Sequence, residues 1–187
     1  MKMNIYKMRV KMYYVRHGES KANVMQHEKC MGGLIHLLML DPDLTEKGKK
    51  ASSESAESAP KVDIVLTSEL LRAIHTAVRT YPKKMVHIVP HVKELGYGLD
   101  NVPVDYEYQK SYLDEYKHYI VREKKEKEYK TFMEYFKEEI VPRFKGREEI
   151  SVALFTHSRF MRRAFKLKTM GEINNNEVKV REMIVKV

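Results

Sequence analysis

Two histidines in this chain follow apolar runs, at points where a strand would end, beside residues that suit phosphoryl chemistry. His17 comes after the run Val10 to Val15 and Arg16, and His157 comes after the run Ile150 to Thr156. A neutral imidazole is a competent nucleophile, and the planar guanidinium of arginine can bind two phosphate oxygens at once. The pair Arg16 and His17 therefore suits a site that binds an anion such as phosphate.

A third apolar run brings another arginine to the same place. Val62 to Thr67 is followed at once by Ser68 and then by helix-forming residues that carry Arg72 within their first turns. Ligands of an open α/β sheet bind beyond the carboxyl ends of its strands, where loops and helix N-termini converge. We therefore expect Arg72 to meet the two histidines and Arg16 in one anion-binding pocket.

Apolar strands that alternate with amphipathic helices predict the scaffold that positions these residues. The predicted strands are Val10 to Val15, Val62 to Thr67, Val86 to Val89, Ile150 to Thr156 and Glu177 to Val187. The predicted helices are Ser20 to Glu28, Lys49 to Ser58 after the N-cap Thr45, the segment from the N-cap Ser68 to Arg79, and Arg159 to about Met170. The fold class that follows is α/β, a three-layer α/β/α sandwich with a mainly parallel central sheet.

Two segments give less regular patterns. Cys30 to Pro42 contains Gly32-Gly33 and the apolar run Leu34 to Leu40, which predicts an irregular, partly mobile loop or a short helix. From Asp105 to Val141, aromatic residues recur at helical spacing and predict two amphipathic helices. We expect the aromatic stripe to pack against the core or a partner; a ligand platform is the alternative.

The composition indicates a soluble domain whose surface attracts anions. A chain of 187 residues suits one core, so we expect a single domain over residues 1–187 with a helical insert at about 105–146. Lys and Arg number 35 against 26 Asp and Glu, and the net charge of +9 favours phosphorylated substrates. The basic residues alternate with acids, as in residues 122–128, so nucleic-acid binding is not expected.

Cysteine content and apolar run lengths bear on the compartment. The lone Cys30 excludes an intramolecular disulfide and a zinc site built on several cysteines. No run approaches the roughly 20 apolar residues that span a bilayer, and Met1 to Val15 contains no signal-peptide core. We expect a cytoplasmic protein with no membrane partner; a viral or organellar setting is the alternative.

Six motifs occur in a set order along the chain. They are Tyr14-Val15-Arg16-His17-Gly18-Glu19-Ser20-Lys21-Ala22-Asn23, Asp43-Leu44-Thr45-Glu46-Lys47-Gly48, Leu66-Thr67-Ser68-Glu69-Leu70-Leu71-Arg72-Ala73-Ile74-His75-Thr76-Ala77, Glu94-Leu95-Gly96-Tyr97-Gly98, Phe155-Thr156-His157-Ser158 and Asn175-Asn176-Glu177-Val178. Together they resemble the histidine phosphatase superfamily, which includes the cofactor-dependent phosphoglycerate mutases. The resemblance implies a phosphoglycerate mutase-like fold and covers the chain except Val24 to Leu40 and Asp105 to Gly146.

By matching position, the resemblance implies roles for the pocket residues. His17 would accept the phosphoryl group, and Arg16, Arg72 and His157 would hold its oxygens. Attack needs an unprotonated ring nitrogen, so we expect the other nitrogen of His17 to donate to a fixed acceptor. Because the cationic side chains supply positive charge to the transferring group, neither a metal nor a cofactor is expected.

The remaining positions concern the acid, the amides and the helix that follows the second histidine. Glu94 matches the general acid and base, with Asp100 as the alternative, and Asn23 matches an auxiliary phosphate or substrate donor. Ser158 stands where many relatives have glycine and still offers a backbone amide to phosphate. Ser20 is expected to cap the following helix or to touch substrate, whereas Arg159, Arg162 and Arg163 either approach a second substrate phosphate or form a solvated basic face.

The function that follows is hydrolysis of a phosphomonoester through a covalent phosphohistidine. The substrate would be a phosphorylated small molecule or a phosphoprotein. One alternative is phosphoglycerate mutase-type phosphoryl transfer, although the segment Val24 to Leu40 is short and Asp105 to Gly146 lacks the fuller substrate insert that a mutase would need. The other alternative is a non-catalytic protein that binds phosphorylated ligands. Neither the substrate nor the oligomeric state follows from the sequence.

Overall fold

A sheet of six strands forms the centre of the computed structural model, which describes residues 7–27, 35–123, 127–167 and 173–186. The strands are β1 (Lys7–Arg16), β2 (Ile64–Thr67), β3 (Val86–Ile88), β4 (Ile120–Arg122), β5 (Glu149–Thr156) and β6 (Val178–Lys186). Their order across the sheet is β4-β3-β2-β5-β1-β6. All neighbours pair in parallel except β1 and β6, which pair antiparallel.

Helical segments connect these strands. The α-helices are α1 (Lys21–His27), α2 (Glu46–Glu54), α3 (Leu71–Thr80), α4 (Tyr106–Ser111), α5 (Phe132–Tyr135) and α6 (Ser158–Phe165). Four 3-10 segments (Ile35–Leu38, Leu99–Asn101, Asp114–Tyr119 and Val141–Phe144) and a π-helical turn (Phe136–Ile140) complete the described helical structure. Within the described residues, no helix has the length and apolar character needed to cross a membrane.

Alternating side chains of the strands fill a core on each face of the sheet. Met12 of β1 and Leu154 of β5 face a cluster that includes residues of α5, the π-helical turn and α6. Phe155, the next residue of β5, faces the opposite cluster, which includes the apolar side of α3. Burial of each such side chain stabilises the fold by roughly 1.5–3 kcal/mol. The sheet therefore lies between two helical layers, as predicted.

The parallel register brings the ends of three strands to one edge. Arg16 of β1 lies opposite Thr156 of β5, and Thr67 of β2 lies opposite Phe155. The residues that follow these strands are His17, His157 and Ser68, so the sheet itself gathers them.

The N-terminus of α3 differs from the prediction that Ser68 caps it. The helix begins at Leu71, and the Leu71 amide donates to Asp41 Oδ1 at 2.8 Å. Asp41 Oδ2 also accepts from the Val104 amide at 3.1 Å and from Gln109 Nε2 at 2.7 Å. A carboxylate from a distant segment thus caps this helix, while Ser68 Oγ accepts from the Leu70 amide at 3.3 Å, just before the helix begins. The spacing of residues near Ser68 could not predict this contact, because Asp41 lies 30 residues before Leu71 in the sequence.

The second of the two helices predicted after Asp105 is confirmed, because α5, the π-helical turn and the 3-10 segment Val141–Phe144 follow one another without a break. The first differs from the prediction: its helical segments are short, and β4 follows them as an edge strand paired with β3. The aromatic residues around Tyr116 suggested one continuous helix, but the β-branched pair Ile120-Val121 forms the strand instead. The prediction that the aromatic stripe packs against the core is confirmed in part, because Tyr129, Phe132 and Phe136 are buried there.

Other predicted elements agree with the structure, with shifted boundaries. Thr45 caps α2, since its Oγ1 accepts from the Gly48 amide at 2.9 Å. The apolar run after Leu34 forms the short 3-10 segment Ile35–Leu38. Helix α6 ends at Phe165, earlier than predicted, because Lys166 adopts a left-handed conformation with φ of 56°. The predictions for Glu28, Cys30 to Leu34, Met170 and Val187 lie outside the described residues.

Candidate active site

The imidazole of His17 is held in one orientation at the end of β1. Its Nδ1 lies 2.7 Å from the carbonyl oxygen of Gly18, which can only accept, so Nδ1 carries the proton and Nε2 does not. The side chain is 3% exposed. Burial, and then the charges of Arg72 and Arg16, hold the pKa of His17 well below its ordinary value. The ring is therefore neutral at physiological pH, and it has the fixed acceptor that a nucleophilic Nε2 requires.

Gly18 is itself held from two sides. Its amide donates to Thr76 Oγ1 at 2.9 Å, and Thr76 Oγ1 donates to the Arg72 carbonyl at 2.7 Å. A Cβ on Gly18 would lie 2.7 Å from Ser52 Oγ and 3.1 Å from the Gly48 carbonyl oxygen, so α2 can approach only a glycine here. This packing sets the position of the carbonyl that orients His17.

The second histidine packs against the first. The ring centroids of His17 and His157 are 5.1 Å apart, and His157 is fully buried. Its Nε2 lies 2.9 Å from Ser68 Oγ, while its Nδ1 has no hydrogen-bond partner among the described residues. Burial, followed by the charges of Arg72, His17 and Arg16, holds the pKa of His157 well below its ordinary value. An unpaired buried nitrogen of this kind can serve a bound ligand.

Both arginines of the predicted pocket are anchored through guanidinium nitrogens. Arg72 Nη1 donates to the Asp100 carbonyl at 2.6 Å, and its Nη2 donates to Asn101 Oδ1 at 2.9 Å. Arg16 Nη1 donates to the Ile173 carbonyl at 2.7 Å. Burial lowers the pKa of both side chains from the ordinary arginine value. These contacts preorganise two cations beside the His17 ring.

One cavity of about 470 Å³ collects the candidate residues, a volume that suits a small-molecule ligand. Its walls include seven of the residues assigned from the sequence to catalysis or phosphate binding, namely Arg16, His17, Asn23, Arg72, Glu94, Asp100 and Ser158. Ser20, Arg159 and Arg162 also line it. His157 does not contribute to the cavity wall and instead lies buried against His17. Seven of the eight candidate residues therefore line the cavity, and the eighth, His157, packs against His17.

The surroundings of the two candidate acids, Glu94 and Asp100, shift the pKa of each carboxyl group. Burial raises the pKa of Glu94, although the Leu95 amide, Arg72 and Arg159 act in the opposite direction. Burial also raises the pKa of Asp100, again opposed first by Arg72. Glu94 Oε1 accepts from the Leu95 amide at 2.9 Å. Either group can carry a proton at a higher pH than a solvated carboxyl would.

Asn23 faces the cavity with its oxygen already engaged. Asn23 Oδ1 accepts from the Ser20 amide at 3.1 Å and from Asn175 Nδ2 at 3.2 Å. Its Nδ2 is thus the group that can donate to a ligand. Ser20 Oγ accepts from the Asn23 amide at 3.3 Å, so Ser20 holds the start of α1 as expected.

Several positioning contacts were missed in the sequence. Asn101 anchors Arg72, Thr76 anchors Gly18, and Asp41 caps the helix that carries Arg72. Asn175 Nδ2 also donates to the His17 carbonyl at 3.0 Å. Asn175 and Thr76 lie inside recognised motifs but no role followed from that placement, and Asp41 and Asn101 gave no signal.

Comparisons with known proteins identify the family and the fold. A model of the histidine phosphatase superfamily (branch 1) matches residues 12–175. Phosphoserine phosphatase from Entamoeba histolytica, solved with 3-phosphoglyceric acid, shares 19% identity over 91% of this chain and 89% of that chain, with a TM-score of 0.52. Phosphoglycerate mutase from Thermus thermophilus shares 20% identity over 91% of each chain, with a TM-score of 0.51. At these identities the two structures show a common fold. No curated protein matches the chain.

Proposed function

The chain belongs to the histidine phosphatase superfamily, and from this premise we propose that it hydrolyses a phosphomonoester through a phosphohistidine at His17. The observation that carries the proposal is the hydrogen bond from His17 Nδ1 to the Gly18 carbonyl. That bond leaves Nε2 unprotonated in a residue that lines the cavity. A neutral, oriented imidazole between two arginines is suited to attack phosphorus.

The first half-reaction forms a bond between His17 Nε2 and phosphorus while the bond from phosphorus to the substrate oxygen breaks. Glu94 supplies the proton that the leaving oxygen takes up, and its burial-raised pKa favours the protonated form that this step needs. In the second half-reaction Glu94 accepts a proton from water. The water oxygen then attacks phosphorus, the P–N bond breaks, and inorganic phosphate leaves.

Arg16, Arg72 and His157 hold the phosphoryl oxygens during both steps. Arg72 is anchored to Asp100 and Asn101 and needs no reorientation as charge develops. His157 Nε2 lies 2.9 Å from Ser68 Oγ. With the Ser68 hydroxyl as donor, the proton of His157 is on Nδ1, which would donate to a phosphoryl oxygen. The phosphoryl oxygen would give His157 Nδ1 the hydrogen-bond partner that it lacks among the described residues. A buried polar group without a partner costs about 1–3 kcal/mol.

The proposed substrate is a small phosphorylated molecule. The cavity volume of about 470 Å³ supports this size class. A mutant of the Entamoeba histolytica phosphoserine phosphatase, solved with phosphoserine, also has a similar fold (18% identity, TM-score 0.54, 91% of this chain and 89% of that chain covered). Asn23 Nδ2 and the amide of Ser158 are proposed as further donors to the phosphate.

The test is release of inorganic phosphate from 4-nitrophenyl phosphate in the presence of a metal chelator. The His17→Ala variant should lose about 10³-fold or more of kcat, because the group that forms the covalent bond is absent. His118→Ala is the matched control, since His118 is exposed and does not line the cavity. Equal activity of wild type and His17→Ala would refute the proposal. Transfer of phosphate to an added acceptor without its release would favour the mutase.

A further inference from the structure

Two arginines beyond those assigned to phosphate also line the cavity. Arg159 and Arg162 project from α6 into the same wall as Arg16 and Arg72. Arg162 is close enough to Arg16 to lower its pKa by repulsion. Like charges gathered in one cavity favour a ligand that carries opposite charge at more than one point.

Arg159 is held over the cavity by a backbone contact. Its Nη1 donates to the Leu95 carbonyl at 2.9 Å. A Cβ on Gly96 would lie 2.7 Å from Arg159 Nη1 and 3.2 Å from Asn101 Nδ2, so the guanidinium and this amide pack over a glycine. Asn101 in turn accepts from Arg72. A short row of contacts therefore joins Arg159 to the arginine proposed to bind phosphate.

The cavity holds more arginines than the proposed phosphate site uses. Four arginines line it, together with Glu94 and Asp100. Arg16 and Arg72 are assigned to the phosphate, whose charge is about −2 near pH 7. Arg159 and Arg162, on the side of the cavity that α6 forms, have no role in that assignment.

We propose that the substrate carries a second anionic group, such as a carboxylate, and that Arg159 binds it. This inference rests on the proposed function, because it takes the phosphate end of the ligand to lie at His17. Arg159 acts as a specificity-determining residue: its fork pairs with the second anion while Leu95 holds it in place. Uncharged analogues of the same size lose this contact.

The test uses unreactive phosphonates of two lengths, each as an acid and its amide. The pairs are phosphonoacetate with phosphonoacetamide, and 4-carboxybenzylphosphonate with 4-carbamoylbenzylphosphonate, with Kd measured by titration calorimetry. Wild type should bind the acid of at least one pair about tenfold or more tightly than its amide, the range of one charged hydrogen bond. Arg159→Gln should bring this ratio close to one, and Arg159→Lys should restore part of it.

Arg163→Gln is the matched control, because Arg163 lies on the same helix, is also exposed, and lines a different cavity. It should keep the wild-type ratio. The inference is overturned if wild type binds acid and amide alike in both pairs, or if Arg159→Gln keeps the preference. It is also overturned if Arg159→Gln weakens acid and amide equally, since that result assigns Arg159 to holding the Leu95 loop alone. Selective binding without hydrolysis would instead refute the phosphatase and leave the anion site standing.

Discussion

Thr76 Oγ1 lies 2.9 Å from the Gly18 amide nitrogen and accepts its hydrogen bond, while donating to the Arg72 carbonyl at 2.7 Å. One hydroxyl therefore joins α3, which carries Arg72, to the peptide whose carbonyl orients His17. Thr76 is fully buried, so water cannot replace it. His17, the proposed nucleophile, and Arg72, the arginine proposed to bind phosphate, are thus linked by a shared contact.

Replacing Thr76 with valine should lower kcat by about tenfold, because a 1 Å displacement at a reacting group can cost up to about 10²-fold. Valine keeps the shape but leaves the Gly18 amide unpaired, which should also cost about 1–3 kcal/mol of unfolding free energy. The measurements are kcat for an aryl phosphate and urea unfolding.

Two variants separate positioning from general destabilisation. Thr76→Ser keeps the hydroxyl and should restore most of kcat. Thr80→Val removes a buried hydroxyl one turn later on α3, where it donates to the Ser52 carbonyl at 3.3 Å, and should affect stability more than kcat. Wild-type kcat in Thr76→Val would contradict the positioning role.

Glu94→Gln tests the assignment of the general acid through the leaving group. Loss of a general acid costs about 10²–10⁴-fold, and the loss should be large for phenyl phosphate, whose leaving oxygen needs the proton. In kcat/KM, which reports transfer to His17 and not the later hydrolysis in which Glu94 acts as the base, the loss should be much smaller for 4-nitrophenyl phosphate, whose leaving group departs as a stable anion. Asp100→Asn is the comparison. If Asp100→Asn shows this dependence and Glu94→Gln does not, the acid is Asp100.

The pH dependence of kcat/KM for phenyl phosphate, which reports transfer to His17, should follow the two groups whose pKa values are shifted. His17 must be neutral to attack, and its pKa is lowered by burial and by the two arginines, so activity is lost only as pH falls well below the ordinary histidine range. Glu94 must be protonated, and its pKa is raised by burial, so activity falls as pH rises through that raised value. Glu94→Gln should flatten the alkaline limb for phenyl phosphate. If Glu94→Gln keeps the wild-type loss of activity at high pH, Glu94 is not the general acid.

Asp43 should make the free energy of unfolding depend on pH in the acid range. Its Oδ1 lies 2.8 Å from His75 Nδ1 and 2.7 Å from the Leu44 amide. Burial raises the pKa of Asp43, but these contacts and Lys49 outweigh burial, so the net pKa is lowered. A lowered carboxyl pKa stabilises the fold above the unfolded value of about 3.9. This contribution is lost as pH falls through the folded pKa.

Asp43→Asn should therefore lower the unfolding free energy by about 1–3 kcal/mol at pH 7 and by less at pH 3. Urea unfolding at both values measures the difference. Glu46→Gln is the control, because its ion pair with Lys49 is exposed and should contribute little. An equal loss for Asp43→Asn at both pH values would contradict the linkage.

The sequence predicted the centre of the site better than its supports. His17, Arg72 and His157 follow strands or begin helices, so local patterns and parallel pairing were enough to bring them together. Asp41 and Asn101 act across long sequence separations, through hydrogen bonds that no local spacing encodes. The strand β4 was missed because aromatic helical spacing and β-branched residues overlap there. Contacts between distant parts of the chain, and not local residue patterns, determine these hydrogen bonds and the formation of β4.

The most direct test of the central claim is to trap the enzyme with a rapidly mixed phosphomonoester and locate the bound phosphate. Because His17 Nδ1 donates to the Gly18 carbonyl, the phosphate should lie on Nε2 of His17, be labile in acid, and be absent in His17→Ala. Mass spectrometry of the quenched peptide and phosphorus NMR distinguish the two ring nitrogens. Phosphate on another residue, an acid-stable adduct, or hydrolysis with no phosphoenzyme formed would contradict the phosphohistidine mechanism.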